Sequence, residues 1–294
     1  MMHTKNKLFG ASFEQSKKII DKSILTEEGA QMGVLASMSF WRRFTGLVVL
    51  VLIIIMYGVG IGFPDQLRQS TENVQMISQQ SAALIGEIGL HLRPVIKILL
   101  FTIIALTVLN LVPKVNYAHQ MLYGIFYLLV LQLVGLIAVL PISIGLTIDT
   151  FGMTAFYIQI VFCCFFIKKY VIDETKNFKA YLLDNGEARV SDWDVRLMTF
   201  IRKFGGILLF LAILNRWTLK IGENANENPQ LMHLLLGCLF LASILGMTLV
   251  FGKWIQYSTK AFYLYKYRKE YREYFNITNE QWYGKFFARF MSKS

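Results

Sequence analysis

Trp41-Arg42-Arg43-Phe44-Thr45-Gly46-Leu47-Val48-Val49-Leu50-Val51-Leu52-Ile53-Ile54-Ile55-Met56-Tyr57 is the stretch that decides the fold. Two arginines among aromatic rings open it, and apolar text without a charge follows to residue 63. A run of roughly 20 such residues is what a helix needs to cross the hydrocarbon of a bilayer. Cations with aromatic rings at its mouth fit the membrane–water interface. The rest of the chain agrees. Of 294 residues 55% are hydrophobic and only 17% charged, against about 25% charged in an ordinary soluble domain. Mean hydropathy is +0.46.

Six spans are predicted, at 45–63, 94–112, 121–147, 152–168, 204–220 and 231–252. The expected class is an all-α integral membrane protein. The third span is long, and Pro141 is expected to kink it or end its regular part. The fourth is short.

The net charge of +11 could point to nucleic acid, but its placement points to topology. Lys and Arg number 7 before the first span, 1 between spans two and three, 8 between four and five, and 9 after span six, which is 25 of 30. Arg68, Arg93, Arg216 and Lys220 fall on the other side, and Lys97 lies inside span two. The positive-inside rule then places both termini in the cytoplasm. A multi-pass protein of a cell (cytoplasmic) membrane is expected, with anionic lipid headgroups met at the cytoplasmic face. Nucleic acid is not an expected partner.

Around the spans, residues 1–44 read as a cytoplasmic amphipathic lead-in, with Phe13, Lys17, Ile20 and Ile24 on one face. Spans one to four occupy 45–168, with an outer helical loop at 64–93. In that loop Val74, Ile77, Ser81, Leu84 and Ile88 keep heptad-like spacing. Residues 169–203 form a cytoplasmic amphipathic connector, 204–252 carry spans five and six, and 253–294 form a basic-aromatic tail. In the connector Phe178, Tyr181 and Leu182 share a face, Asp184-Asn185-Gly186 breaks the helix, and Ser191 with Asp194 starts the next. In the tail Tyr263, Tyr267, Tyr271 and Tyr274 share one face and Trp282, Phe286 and Phe290 another. Such helices are expected at the membrane surface. Arg42, Arg43, Arg202, Lys203, Trp193 and Trp282 are the expected interface anchors.

An internal match accompanies this layout. Met38, Phe40, Arg42, Phe44, Gly46 and Ile53 recur as Met198, Phe200, Arg202, Phe204, Gly206 and Ile213, at an offset of 160. Tyr117, Tyr123 and Tyr127 recur as Tyr257, Tyr263 and Tyr267, at an offset of 140. A parallel duplication would pair span one with five and two with six. The alternative is that basic-aromatic text marks any helix mouth on the cytoplasmic side. Phe40-Trp41-Arg42-Arg43-Phe44 also resembles the start of the first span in the RDD family of small membrane proteins. The intramembrane Asp of that family is absent from 45–63, so the resemblance implies nothing about a site.

Little chemistry is encoded. The four histidines, His3, His91, His119 and His233, are scattered. Nucleotide-binding glycine loops, a Gly-x-Ser-x-Gly elbow and a His-Glu-x-x-His pair are missing from the sequence. Cys163, Cys164 and Cys238 fall inside spans and read as small packing residues. No catalytic residue, metal site or cofactor is expected. The polar candidates in the membrane are Asn110, Gln132 and Gln159, either interhelical glue or the lining of a path. Asp149 and Arg216 could pair across the outer rim. The expected role is a non-catalytic subunit or accessory factor of a membrane assembly, of export, envelope or immunity type. It would bind another membrane protein or a second copy of itself. The alternative is a transporter of a neutral or amphiphilic substrate between the pseudo-repeats.

Overall fold

The computed structural model describes residues 7–25, 35–69, 77–112, 114–183, 199, 202, 203, 206 and 235–291. Every regular element among these residues is helical. Seven stretches are used below. α1 is Phe13–Ser16, α2 Phe40–Gln69, α3 Gln79–Leu111, α4 Tyr117–Leu183, α5 Leu239–Lys266, α6 Arg268–Tyr274 and α7 Asn279–Met291. Of these, α2, α3, α4 and α5 are long and apolar enough to cross a membrane.

Side-chain caps set several starts. Ser12 and Gln15 exchange bonds across the first turn of α1, a capping box. Ser78 and Asn116 accept from Ser81 N and His119 N at the mouths of α3 and α4. Thr278 and Gln281 exchange 3.3 Å bonds at the start of α7. α3 has 33 residues, about 50 Å at 1.5 Å per residue, which overhangs a hydrocarbon core of about 30 Å. Residues 64–69 therefore continue α2 and residues 79–93 belong to α3, so both helices extend through most of the expected outer loop.

α4 is two helical arms. The helix runs through Pro141 and is broken instead at Gly152, where φ is 80° and ψ 170°. Side chains other than hydrogen rarely tolerate that φ. The regular part does not end at Pro141, and the reversal between the expected spans three and four falls at Gly152, three residues beyond Asp149, which stays helical. Contacts with α5 give the direction of each arm. Thr147 Oγ1 donates to Gly237 O at 2.8 Å, and Trp254 Nε1 donates to Ile125 O at 3.2 Å, so the first arm is antiparallel to α5. The Phe156 and Phe240 rings meet at 5.0 Å, and Tyr170 O closes on Gly252, so the second arm runs with α5.

The bundle interior is apolar. Val49, Ile53 and Ile61 of α2 pack with Ile96, Leu100 and Ile103 of α3 and with Tyr127, Val130 and Val134 of α4. Close crossings use glycine. A Cβ on Gly60 would stand 2.9 Å from Ala138, and one on Gly145 would overlap Ile85. The outside is apolar too: Ile54, Phe101 and Val161 are each 70% exposed. A belt this large would not be stable against water.

The two ends of the bundle differ. At one end, called the basic face here, residues 11–24, 117–125, 182 and 261–282 share one core. At the opposite face Leu67, Ala82 and Ile85 form a small cluster with Ile77 and Ile142, and Asp65 pairs with Arg93. The second internal match falls on unlike structures: Tyr117 opens α4, whereas residues 257–263 lie inside α5. Most of 198–207, the partner in the first match, lies outside the described residues.

Candidate functional site

The predicted polar positions do not form one site. Asn110 is 2% exposed and accepts from Gln120 Nε2 at 2.9 Å; the same amide donates to Leu35 O at 2.7 Å. This ties the last turn of α3 to the first turn of α4. Gln132 and Gln159 are half-buried, and the Oε1 atom of each is buried with no hydrogen-bond partner among the described residues. They sit on different arms of α4. Gln159 lies within a turn of Phe156, which meets Phe240, whereas Gln132 lies between the Ile125 and Thr147 contacts.

Asp149 is fully buried and accepts from Ser78 N at 3.0 Å, so it helps to hold the start of α3. Arg216, its expected partner, lies outside the described residues, as do Trp193, Ser191, Asp194 and all but residue 206 of the expected span at 204–220. Arg42, Arg202 and Lys203 are exposed. Arg43 is 2% exposed, and its Nε and Nη1 atoms have no hydrogen-bond partner among the described residues. Trp282, expected as a membrane anchor, is also 2% exposed and packs inside the basic-face core. Trp282 is covered by protein.

That core is held by tyrosine hydroxyls. Ser16 Oγ donates to Phe13 O at 2.8 Å, which uses its only proton. The Tyr271 hydroxyl, 2.6 Å away, is therefore the donor to Ser16 Oγ. Burial, then the neighbouring Tyr267, Tyr274 and Glu14, push the Tyr271 hydroxyl above the usual tyrosine range. Tyr263 OH accepts from Ala11 N at 2.8 Å and donates to Leu8 O at 2.7 Å. Tyr267 OH donates to Ala11 O and Tyr117 OH to Ile24 O, each at 2.8 Å. Gln15 Nε2 reaches Leu183 O at 3.0 Å. Lead-in, connector and tail are thereby one body, a cap on the basic face.

Between the cap and the bundle lies an open groove of about 670 Å³. Leu122, Ile125 and Phe126 of α4 and Trp254 of α5 give its apolar wall; Lys114, His119 and Ser258 are its polar members. Lys114 Nζ donates to Leu109 O at 2.9 Å and stands 4.0 Å over the Tyr123 ring. Burial, and next the charge of Arg43, hold the Lys114 ammonium below its ordinary range. The His119 ring meets Tyr265 edge-on at 4.6 Å, and its Nδ1 lies 2.9 Å from Asn116 Oδ1.

Sequence reasoning missed this groove. Its one available signal was the pair of aromatic-rich stretches 117–123 and 257–263, read as copies of each other rather than as neighbours. Groups of three or more His, Cys, Asp or Glu able to hold a metal are absent among the described residues. Comparison with protein-family models, with curated proteins and with solved structures finds no match.

Proposed function

We propose that this chain is a non-catalytic polytopic membrane protein, a subunit or accessory factor of a membrane assembly, with its basic face in the cytoplasm. The charge asymmetry supports the orientation. The six-span count has support from the ends of the described segments. Leu183 is joined to the cap through Gln15, and Gly237 sits at the opposite face beside Thr147. An odd number of crossings between them is what six spans require.

The observation that carries the role is the cap. Three segments far apart in sequence are hydrogen-bonded into one body with a groove at its base. Such a body suits the holding of another component more than the passage of a substrate. The transporter reading keeps one observation of its own, the unpartnered carbonyl oxygens of Gln132 and Gln159.

The test is purification of the full chain from its native membrane in a mild detergent, with a photo-crosslinker at the exposed cap residue Tyr274. A membrane protein joined in stoichiometric amount at that position is the expected result. A chain that elutes as a lone monomer, with no crosslink from Tyr274, would overturn the accessory role and favour transport.

A further inference from the structure

The groove at the base of the cap is made by two helical stripes side by side. His119, Leu122 and Phe126 recur at i, i+3 and i+7 on α4, and Trp254, Ser258 and Tyr265 at i, i+4 and i+11 on α5. The two helices are antiparallel here, so their contacts order the lining. His119 meets Tyr265 toward the start of α4, and Ile125 receives the bond from Trp254 further in, about 9 Å along the helix. Lys114 stands before the first contact, and Leu122 and Ser258 lie between the two. The cation and the imidazole are thus at one end of the groove, and Ile125, Phe126 and Trp254 are at the other. Val115 and Phe126, 69% and 51% exposed, open the side of the groove onto the apolar belt.

The polar groups of this lining have unequal needs. Asn116 Oδ1 accepts from His119 N at 3.1 Å, which fixes that atom as the amide oxygen. His119 Nδ1 lies 2.9 Å from the same oxygen and must therefore carry a proton. An imidazole in its ordinary neutral form then has a bare lone pair on Nε2. Ser258 Oγ gives its one proton to Trp254 O at 2.8 Å, and Trp254 Nε1 gives its own to Ile125 O at 3.2 Å. What His119 and Ser258 still offer is two acceptors, and neither receives a hydrogen bond among the described residues. Lys114 is already engaged, by Leu109 O at 2.9 Å and by the Tyr123 ring at 4.0 Å. A phosphate or carboxylate has only lone pairs and would set them against two further acceptors. A hydroxyl brings a proton to Nε2 or Oγ and can still accept from Lys114.

We propose that the groove binds one neutral lipid whose head carries free hydroxyls, of the monoacylglycerol kind. Its hydroxyls donate to His119 Nε2 and Ser258 Oγ, and its acyl chain lies along Ile125, Phe126 and Trp254 toward the belt. A soluble polyol would answer the acceptors and leave the apolar wall in water. A hydrocarbon chain without hydroxyls would cover the wall and leave the acceptors unmet. The inference rests on the membrane placement above and not on the accessory role. A chain that purifies alone can still bind the lipid.

The experiment uses the full chain in phosphatidylcholine nanodiscs, which avoids sugar-headed detergents that would compete for the groove. Three probes carry the same dibrominated acyl chain: the monoacylglycerol, the methyl ester and the free carboxylate. Bromine quenches a tryptophan that it touches, and the quenching that Trp254→Phe removes is the signal from the groove. The monoacylglycerol is expected to reach half of that signal at about tenfold lower mole fraction than the methyl ester. Ser258→Ala and His119→Phe should each move the monoacylglycerol toward the ester. Ser258→Ala changes one exchangeable contact on α5, and it decides the matter if the His119 variant does not fold. Equal quenching by monoacylglycerol and ester would overturn the proposal, as would a Ser258→Ala chain that binds like the parent. Tighter binding of the carboxylate than of the monoacylglycerol would also overturn it, because charge on Lys114 and not a hydroxyl would then select the lipid.

Discussion

Near Ser16 and Tyr271 in the cap, buried hydroxyls find partners within hydrogen-bond distance; near Gln132 and Gln159 in the bundle, buried carbonyl oxygens do not. The cap joins distant segments through polar contacts and encloses large aromatic side chains, as a water-soluble core does. The bundle relies on close apolar packing and glycine crossings, and its polar groups are few. The difference follows from the solvent. In water the hydrophobic effect holds the cap together, and its polar groups must be answered inside. In hydrocarbon that force is absent between helices, so packing fit holds the bundle. The cap is therefore the part a point substitution should damage most.

The largest effect is expected from Trp282→Ala. Removing a large aromatic side chain from a packed core costs about 3–5 kcal/mol, and Trp282 is buried among Ile277, Tyr271 and their neighbours. Trypsin should then cut the lead-in at Lys17 or Lys22, while helical circular dichroism stays near that of the parent chain. An uncut lead-in would mean that Trp282 meets lipid and does not hold the cap, and the contrast between the two regions would lose its main support.

A smaller and pH-dependent effect is expected from Tyr271→Phe. The folded chain holds the Tyr271 hydroxyl in its protonated form to higher pH than an unfolded chain does. Stability from this group is complete below about pH 10. It is lost as pH rises, because the unfolded chain releases its proton first. The slope is at most about 1.4 kcal/mol per pH unit. Phenylalanine should lower the melting temperature at neutral pH, through the loss of a bond worth about 1 kcal/mol, and should flatten the decline above pH 10. Thermal melts from pH 7 to 11 would check both. A decline equally steep in the variant would place the alkaline sensitivity at another tyrosine.

The membrane helices were readable because long uncharged runs have few other solutions: 45–63 lies in α2 and 121–147 in the first arm of α4. The reversal between spans three and four was readable only to within a few residues. Proline is the usual signal of a break, but neighbouring helices tolerate it in a bundle, and the rare φ of Gly152 carries the turn instead. The cap was half readable. Ile20, Ile24, Tyr181, Leu182, Tyr271 and Trp282 were each placed on an apolar stripe, and each lies in or against the same core. A stripe of period 3.6 reports that a face is covered but not by what, so protein and lipid read alike. Arg43 shows the same limit: its position at a helix mouth was legible, while its burial without a partner depends on how the Phe40–Phe44 turn meets α3.

The smallest effect is expected at the midplane, where it separates the two functional readings. Gln132→Leu and Gln159→Leu each remove an amide whose carbonyl oxygen has no partner. Interhelical polar contacts in membranes are worth about 0.6 kcal/mol on average, and an unmet one less. A leucine of similar volume should therefore leave the melting temperature unchanged or slightly higher. If the chain is an accessory factor, crosslinking at Tyr274 should also be unchanged, since neither glutamine belongs to the cap core. If it is a transporter, the folded double variant should lose flux while keeping its melting temperature. Asn110→Leu is the control, because it breaks the bond from Gln120 and leaves that amide with only the Leu35 carbonyl. Loss of stability there, beside none at Gln132 and Gln159, would show that a side-chain amide of this chain is structural where α3 meets α4 under the cap and idle at these two positions in the bundle.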